Sequence, residues 1–260
     1  MSQYIKPKKS LGQHFLTDKN IARKITESLC NSQQLPVIEI GPGTGVLSDL
    51  LIEQFEQLYL IEIDKEAFSF LQKQYYERNV SILNLDFLAA DLDNIVELPA
   101  CVIGNFPYNI SSQIFFKILT YRDNIPEVVC MIQKEVAQRI ASPPGNKTYG
   151  ILSVLLQAWY RIEYLFTVNE NVFNPPPKVK SAVIRLTRNE TRELGCEPDL
   201  FVKVVRAAFN QRRKTLRNSL KALGMNTDNI DACILDKRAE RLSVSDFVEL
   251  TNHLYSKPLH

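Results

Sequence analysis

Asn105, Phe106, Pro107 and Tyr108 stand together in the run Gly104-Asn105-Phe106-Pro107-Tyr108-Asn109-Ile110-Ser111, and this order of residue types suits chemistry at an amino group. The exocyclic nitrogen of adenine is a poor nucleophile because its lone pair is delocalised into the ring. Two acceptors at the amino hydrogens draw that pair back onto nitrogen. The Asn105 side-chain oxygen and the Phe106 carbonyl can supply them. Pro107 lacks an N–H and has a fixed φ, so it holds the peptide of that carbonyl rigidly. Tyr108 offers a ring on which an extruded base can stack. If the incoming methyl group already sits on a good leaving group, positioning and hydrogen bonding carry the barrier reduction, and no strong general base is required.

A second set of residues suits an adenosine-like ligand. Glu39-Ile40-Gly41-Pro42-Gly43-Thr44-Gly45 reads as a strand running into a glycine turn and a helix. Glycines there permit positive φ and close backbone approach. The spacing is G-x-G-x-G, not the G-x-G-x-x-G of dinucleotide enzymes. Glu62, followed by Ile63 and Asp64, lies about twenty residues on, where an acid can accept from ribose hydroxyls. Asp86 can accept from an adenine amino group, with Phe87 beside the ring. Each feature alone also fits an ordinary strand end. Their recurrence at three successive strand ends, where open α/β sheets bind ligands, favours a cofactor site.

The elements that must position these residues follow from hydrophobic patterning. Short apolar runs at Pro36 to Ile40, Leu58 to Ile63, Val80 to Leu85, Cys101 to Gly104 and Val128 to Ile132 read as strands. Amphipathic stretches such as Val46 to Phe55 and Lys65 to Tyr76 read as helices between them. This alternation predicts an α/β fold with a parallel sheet and helices on both faces. After Tyr149 the rhythm changes. A helix from Ile151 to Tyr160 precedes two strands, Arg161 to Val168 and Ser181 to Arg188, expected to form an antiparallel edge. Pro175-Pro176-Pro177 stiffens the link between them. From about Asn189 the chain reads as helical: Asp199 to Leu223 with a bend near Asn210-Gln211, Asp228 to Asp236, and Val244 to Tyr255 with Ser243 or Ser245 as cap. A boundary near residue 189 divides a catalytic domain, 1–188, from a small helical domain, 189–260.

The chain of 260 residues is 45% hydrophobic and 23% charged, as in globular proteins, and its net charge is only +2. The charge is unevenly spread: Lys203 to Lys221 holds seven basic residues and no acid. Such a block is either a solvated helix face or a contact for an anionic partner. Arg206, Arg212, Arg213, Lys214, Arg217 and Lys221, with Lys8 and Lys9, are the candidate RNA-binding residues. The five cysteines show no Cys-x-x-Cys spacing, so reduced thiols are expected, with Cys101 and Cys130 in the core. No apolar run is long enough to span a bilayer and the first residues do not form a signal peptide, so a cytoplasmic location is expected. No set of metal ligands is discernible, and no metal is expected.

The Asn-x-Pro-Tyr element resembles the signature of amino-group methyltransferases. Lys9 to Leu16, Gln133 to Ala137, Phe173 to Ser181 and Phe209 to Asn218 narrow the resemblance to the small-subunit (16S) ribosomal RNA adenine dimethyltransferases, over nearly the whole chain. That resemblance implies a Rossmann-like class I fold, S-adenosyl-L-methionine as methyl donor, and two adjacent adenines of the 3′-terminal hairpin as target. It implies an immature small ribosomal subunit (30S particle) as partner, and a monomer is expected. Gln13, His14 and Leu16 would contact the cofactor from the N-terminal segment. Gly41 and Gly43 would line its methionine part, Glu62 and Ile63 the ribose side, Asp86 and Phe87 the adenine, and Asn105 the point of transfer. Phe173 would face Tyr108 across the target base. Two positions depart from the usual pattern: His14, where many relatives carry Asn, and Phe106, where Leu or Ile is common. A resistance methyltransferase of large-subunit RNA shares the chemistry and remains an alternative. So do a non-catalytic assembly factor and, with a poorer fit, a DNA adenine methyltransferase.

Overall fold

The structure is a computed structural model and describes residues 5–30, 35–211, 214–222, 224–227 and 230–255. In chain order the elements are β1 (Phe15–Leu16), α1 (Lys19–Thr26), β2 (Val37–Ile40), α2 (Ser48–Leu51), β3 (Leu58–Ile61), α3 (Lys65–Gln74), β4 (Ser81–Leu83), β5 (Cys101–Asn105), α4 (Ser111–Thr120), β6 (Glu127–Gln133) and α5 (Lys134–Ala141). Then follow α6 (Ile151–Trp159), β7 (Tyr160–Val168), β8 (Phe173–Asn174), β9 (Ser181–Arg188), α7 (Pro198–Asn210), α8 (Leu216–Lys221), α9 (Ala232–Leu235) and α10 (Val244–Tyr255). They fall into two compact units, residues 1–137 with 162–188, and residues 138–161 with 189–260.

In the first unit, seven strands among the described residues form one sheet in the order β4-β3-β2-β5-β6-β9-β7. The five strands from β4 to β6 run parallel, and β9 pairs antiparallel with β6 from Glu127↔Thr187 to Gln133↔Ser181. Every residue of β2 is buried, as a strand covered on both faces requires. β2 lies between β3 and β5, so successive crossovers leave it in opposite directions. That is the topological switch point, and the crevice beyond its strand ends is where such sheets bind ligands. A separate two-stranded ribbon joins the ends of the unit: Phe15 pairs with Asn174 and Leu16 with Phe173. Side chains of Leu16 and Phe173 enter the same core as Val37, Leu60, Ile103 and Met131.

The second unit is helical. Its α6 is buried nearly all round, and the Trp159 ring packs edge-on against Phe201 of α7 at 6.0 Å. Phe209 stacks on Phe247 of α10 at 6.0 Å. The sequence placed residues 138–161 with the sheet. By packing they go with the helices, because an all-round apolar helix needs the helical core to cover it. The helical stretch over 199–223 breaks where the bend near Asn210-Gln211 is expected: α7 ends at Asn210 and α8 starts at Leu216. Ser243 and Asp246 close a reciprocal cap on α10. The Asp246 amide donates to Ser243 Oγ (3.1 Å) and the Ser243 amide to Asp246 Oδ2 (2.7 Å).

Candidate active site

A cleft opens at the switch point, holding about 710 Å³ between its walls, with open solvent at its mouth included. Its lining includes Gln13, His14, Gly41, Gly43, Glu62, Ile63, Asp86, Phe87, Asn105, Phe106, Pro107 and Tyr108. These residues come from five separate segments, so the fold gathers nearly all the cofactor and transfer residues expected from sequence. Leu16 and Phe173 are the exceptions. Both are buried, at 3% and 4% exposure, and neither lines the cleft.

The glycine turn takes the shape its sequence permits, with φ of +67° at Gly41 and +57° at Gly43. A Cβ at Gly43 would lie 2.8 Å from the Phe15 ring, whereas one at Gly41 would meet nothing within 4 Å. The wall beside Gly41 is therefore left open for a ligand. Glu62 accepts from the Gly43 amide through Oε2 (3.0 Å) and from the Asp64 amide through Oε1 (2.8 Å). Burial pushes its carboxyl upward, and those two amides oppose the shift. Each oxygen keeps a lone pair for a ribose hydroxyl, whose donation would ease the buried charge. Asp86 Oδ1 accepts from the Leu88 amide (2.9 Å), and Ile63 stands half exposed on the rim. The arrangement fits S-adenosylmethionine.

β5 delivers the transfer residues. A Cβ at Gly104 would stand 2.6 Å from the Ile40 carbonyl, so glycine lets β5 lie close to β2 just before Asn105. Asn105 Nδ2 donates to the His14 carbonyl (2.9 Å). Tying down the amide nitrogen leaves Oδ1 as the free acceptor. The Phe106 amide donates to the Met131 carbonyl (3.0 Å), and its ring is buried edge-on to Phe115. Among the described residues nothing donates to Asn105 Oδ1 or to the Phe106 carbonyl. The Tyr108 hydroxyl shares a hydrogen bond with Ser181 Oγ, and burial raises its pKa, so it stays neutral.

Several participants were not legible beforehand. Asp64 is a hub whose side chain accepts from Lys8 Nζ (2.6 Å) and Gln13 Nε2 (3.0 Å). Burial would raise its pKa, but the hydrogen bonds from Lys8 and Gln13 more than offset this and lower it. Lys8 also reaches Glu66 (3.1 Å), so its charge is engaged within the protein. Gln13 accepts from the Lys8 amide (2.8 Å), which makes its side chain a link between Lys8 and Asp64. Glu39 is buried in β2, accepts from Ser48 Oγ (2.6 Å), and has its pKa pushed up to about 8 by burial. A carboxylate inside an apolar strand was the available signal.

The basic candidates are more scattered. Lys9, Arg206, Lys214 and Lys221 are exposed, and Arg217 pairs with Asp236 at 3.0 Å. Arg212 and Arg213 lie outside the described residues. Among the described residues no group of three His, Cys, Asp or Glu could hold a metal, and no helix is long and apolar enough to cross a membrane. All five cysteines are free, with Cys101 and Cys130 buried.

A mainly parallel sheet with an adenosine-type cleft at its switch point, and Asn-x-Pro-Tyr at the end of the adjoining strand, defines a class I S-adenosylmethionine-dependent methyltransferase. The family model "Ribosomal RNA adenine dimethylase" matches residues 5–255, and the chain belongs to that family of rRNA adenine dimethyltransferases. It is 56% identical over 248 residues to a Ribosomal RNA small subunit methyltransferase A of Parabacteroides distasonis, covering 95% of this chain and 93% of the relative. A relative of the same name from Cytophaga hutchinsonii is 52% identical, with 97% and 99% covered. Among solved structures, a dimethyladenosine transferase from Plasmodium falciparum superposes with a TM-score of 0.77 at 25% identity, over 91% of this chain and 96% of that one. The 23S rRNA methyltransferase ErmE gives 0.68 at 25% identity, over 92% and 99%.

Proposed function

We propose that this enzyme dimethylates N6 of two adjacent adenines in the 3′-terminal hairpin of small-subunit rRNA, acting as a monomer on the immature subunit in the cytoplasm. The observation that carries the mechanism is the tether between Asn105 Nδ2 and the His14 carbonyl, which fixes the side-chain oxygen as an acceptor. When bound, S-adenosylmethionine supplies a methyl group on a sulfonium. The protein's part is orientation. Tyr108 gives the extruded base a face to stack on. For the first methyl, Asn105 Oδ1 and the Phe106 carbonyl each accept one N6 hydrogen, and for the second one of them accepts the single hydrogen that remains, restoring lone-pair density on the nitrogen and aiming it along the transfer line. After transfer a proton leaves the nitrogen, and the weakly basic acceptors suffice because the methylated amine is strongly acidic. Glu62 and Asp86 hold the ribose and adenine of the cofactor, and the open wall at Gly41 admits its methionine portion.

The names of the relatives support the small-subunit target over the large one. Lys9, Arg206, Arg212, Arg213, Lys214, Arg217 and Lys221 are proposed to meet phosphates, positioning the RNA without reading bases. The test is methyl transfer from labelled cofactor to purified small and large subunits, with mass spectrometry of the RNA. Wild type should yield dimethyladenines in small-subunit RNA alone. Asn105→Ala should lose about 10²–10³ in rate while retaining RNA binding, as expected for one preorganised polar contact in a transition state. Transfer at the wild-type rate by that variant refutes the mechanism, and dimethylation of large subunits refutes the target.

A further inference from the structure

His14 makes three contacts in the site. Its carbonyl accepts from Asn105 Nδ2, its ring stacks on Tyr108 with centroids 5.5 Å apart and planes at 28°, and its Nδ1 lies 2.8 Å from the Pro175 carbonyl. A carbonyl can only accept, so Nδ1 carries the hydrogen in that bond. The contact to Asn105 is main-chain and independent of the side chain. The other two place the imidazole between Tyr108 and the segment that follows Phe173. Phe173 itself is buried in the core and paired with Leu16. Tyr108 thus already stacks against a flat ring, and that ring belongs to the protein.

We propose that the His14 imidazole is a placeholder for the target base that sets the cost of base capture: it covers Tyr108 in the free enzyme and is displaced when the base enters. The inference rests on the reading of Tyr108 as the base platform. A half-buried tyrosine whose hydroxyl is already bonded to Ser181 would otherwise present a bare face. Covering it keeps the platform ordered, which lowers the ordering cost of binding. Exchanging one stacked ring for another is close to neutral in stacking. Displacement also breaks the bond to Pro175, so the entering base must bring compensation. Adenine brings two N6 hydrogens for Asn105 Oδ1 and the Phe106 carbonyl. A base without an amino group at that edge bears the same displacement cost without that compensation, so the placeholder weakens capture of every base alike and the discrimination comes from Asn105 and the Phe106 carbonyl.

The experiment uses small subunits or hairpin RNA carrying 2-aminopurine, which has no 6-amino group, at a target position. Fluorescence titration reads its capture, and competition against the adenine RNA reads discrimination. His14→Ala retains the carbonyl tether. It should capture 2-aminopurine and adenine RNA each roughly two- to tenfold better than wild type, with the ratio between them unchanged, the range set by the worth of an aromatic stack. His14→Phe keeps a stacking ring and should capture both RNAs about as weakly as wild type. If His14→Ala folds poorly, His14→Ser serves as the opening variant. Unchanged or weakened capture by the opening variant overturns the placeholder, as does a Phe variant that behaves like Ala. Tyr108→Ala separates the two readings. It should abolish the capture signal, and a signal that survives it removes the platform itself, whatever His14 does.

Discussion

Replacing Glu39 by Gln should flatten the pH dependence of stability. The carboxyl lies in β2, is 1% exposed, accepts from Ser48 Oγ, and is pushed from its ordinary value of 4.5 to about 8, mainly by burial and then by the neighbouring charges of Glu62 and Asp49. The unfolded chain gives up this proton near 4.5, whereas the folded chain keeps it until about 8. Over that window the folded state holds more protons, so stability is full in acid, falls as pH rises, and levels off above the folded value. At about 1.4 kcal/mol per pH unit, the loss between about pH 5.5 and about pH 8.5 is on the order of 3 kcal/mol. The amide introduced by Glu39→Gln would keep an acceptor for Ser48 and place a donor where the acid proton was, without a charge to bury. Urea unfolding of both proteins at the two pH values measures the effect. Glu62 also has a raised carboxyl, so both proteins retain some slope, and the difference between them isolates Glu39. Parallel pH profiles would show that Glu39 is ionised in the folded protein and refute the reasoning.

Other perturbations follow from the same geometry. Phe173→Ala should cost about 3–5 kcal/mol in denaturant unfolding, because the ring is buried with Leu16 and Met131. Lys8→Met should lower the thermal midpoint at neutral pH by leaving the Asp64 carboxylate without its cation. Asp64 has a depressed pKa, so its stabilisation is present above the ordinary carboxylate range and is lost as pH falls through the folded value; the variant and wild-type melting curves should converge in acid. Lys214→Ala should reduce the slope of log affinity for RNA against log salt by about 0.7 to 0.9, the signature of one phosphate contact. An unchanged slope would take Lys214 out of the interface.

Much of this architecture is written locally. Strands such as Glu127–Gln133 and Cys101–Asn105 announce themselves because a sheet covered on both faces needs apolar runs such as Val128 to Ile132. The glycine turn and the Asn-Phe-Pro-Tyr run are contiguous, so their joint meaning is visible without coordinates. What is not local is not legible. Lys8 reads as a phosphate contact because Asp64, its partner, lies 56 residues away. Leu16 and Phe173 read as ligand contacts because nothing near either signals that they pair with each other. Residues 138–161 were assigned to the sheet by their position in the chain, although an all-round apolar helix is covered only by the fold's second core. Glu39 reads as an ordinary strand residue because its neighbours, not its own type, decide whether it is charged.

The contacts on either side of the β1–β8 ribbon join parts of the chain that are synthesised far apart in time. Asn105 is aimed from residue 14, and Tyr108 is held by Ser181. A polypeptide made from its N-terminus acquires the glycine turn and the two cleft-lining acids, Glu62 and Asp86, early, but Tyr108 lacks its hydroxyl partner until Ser181 has left the exit tunnel.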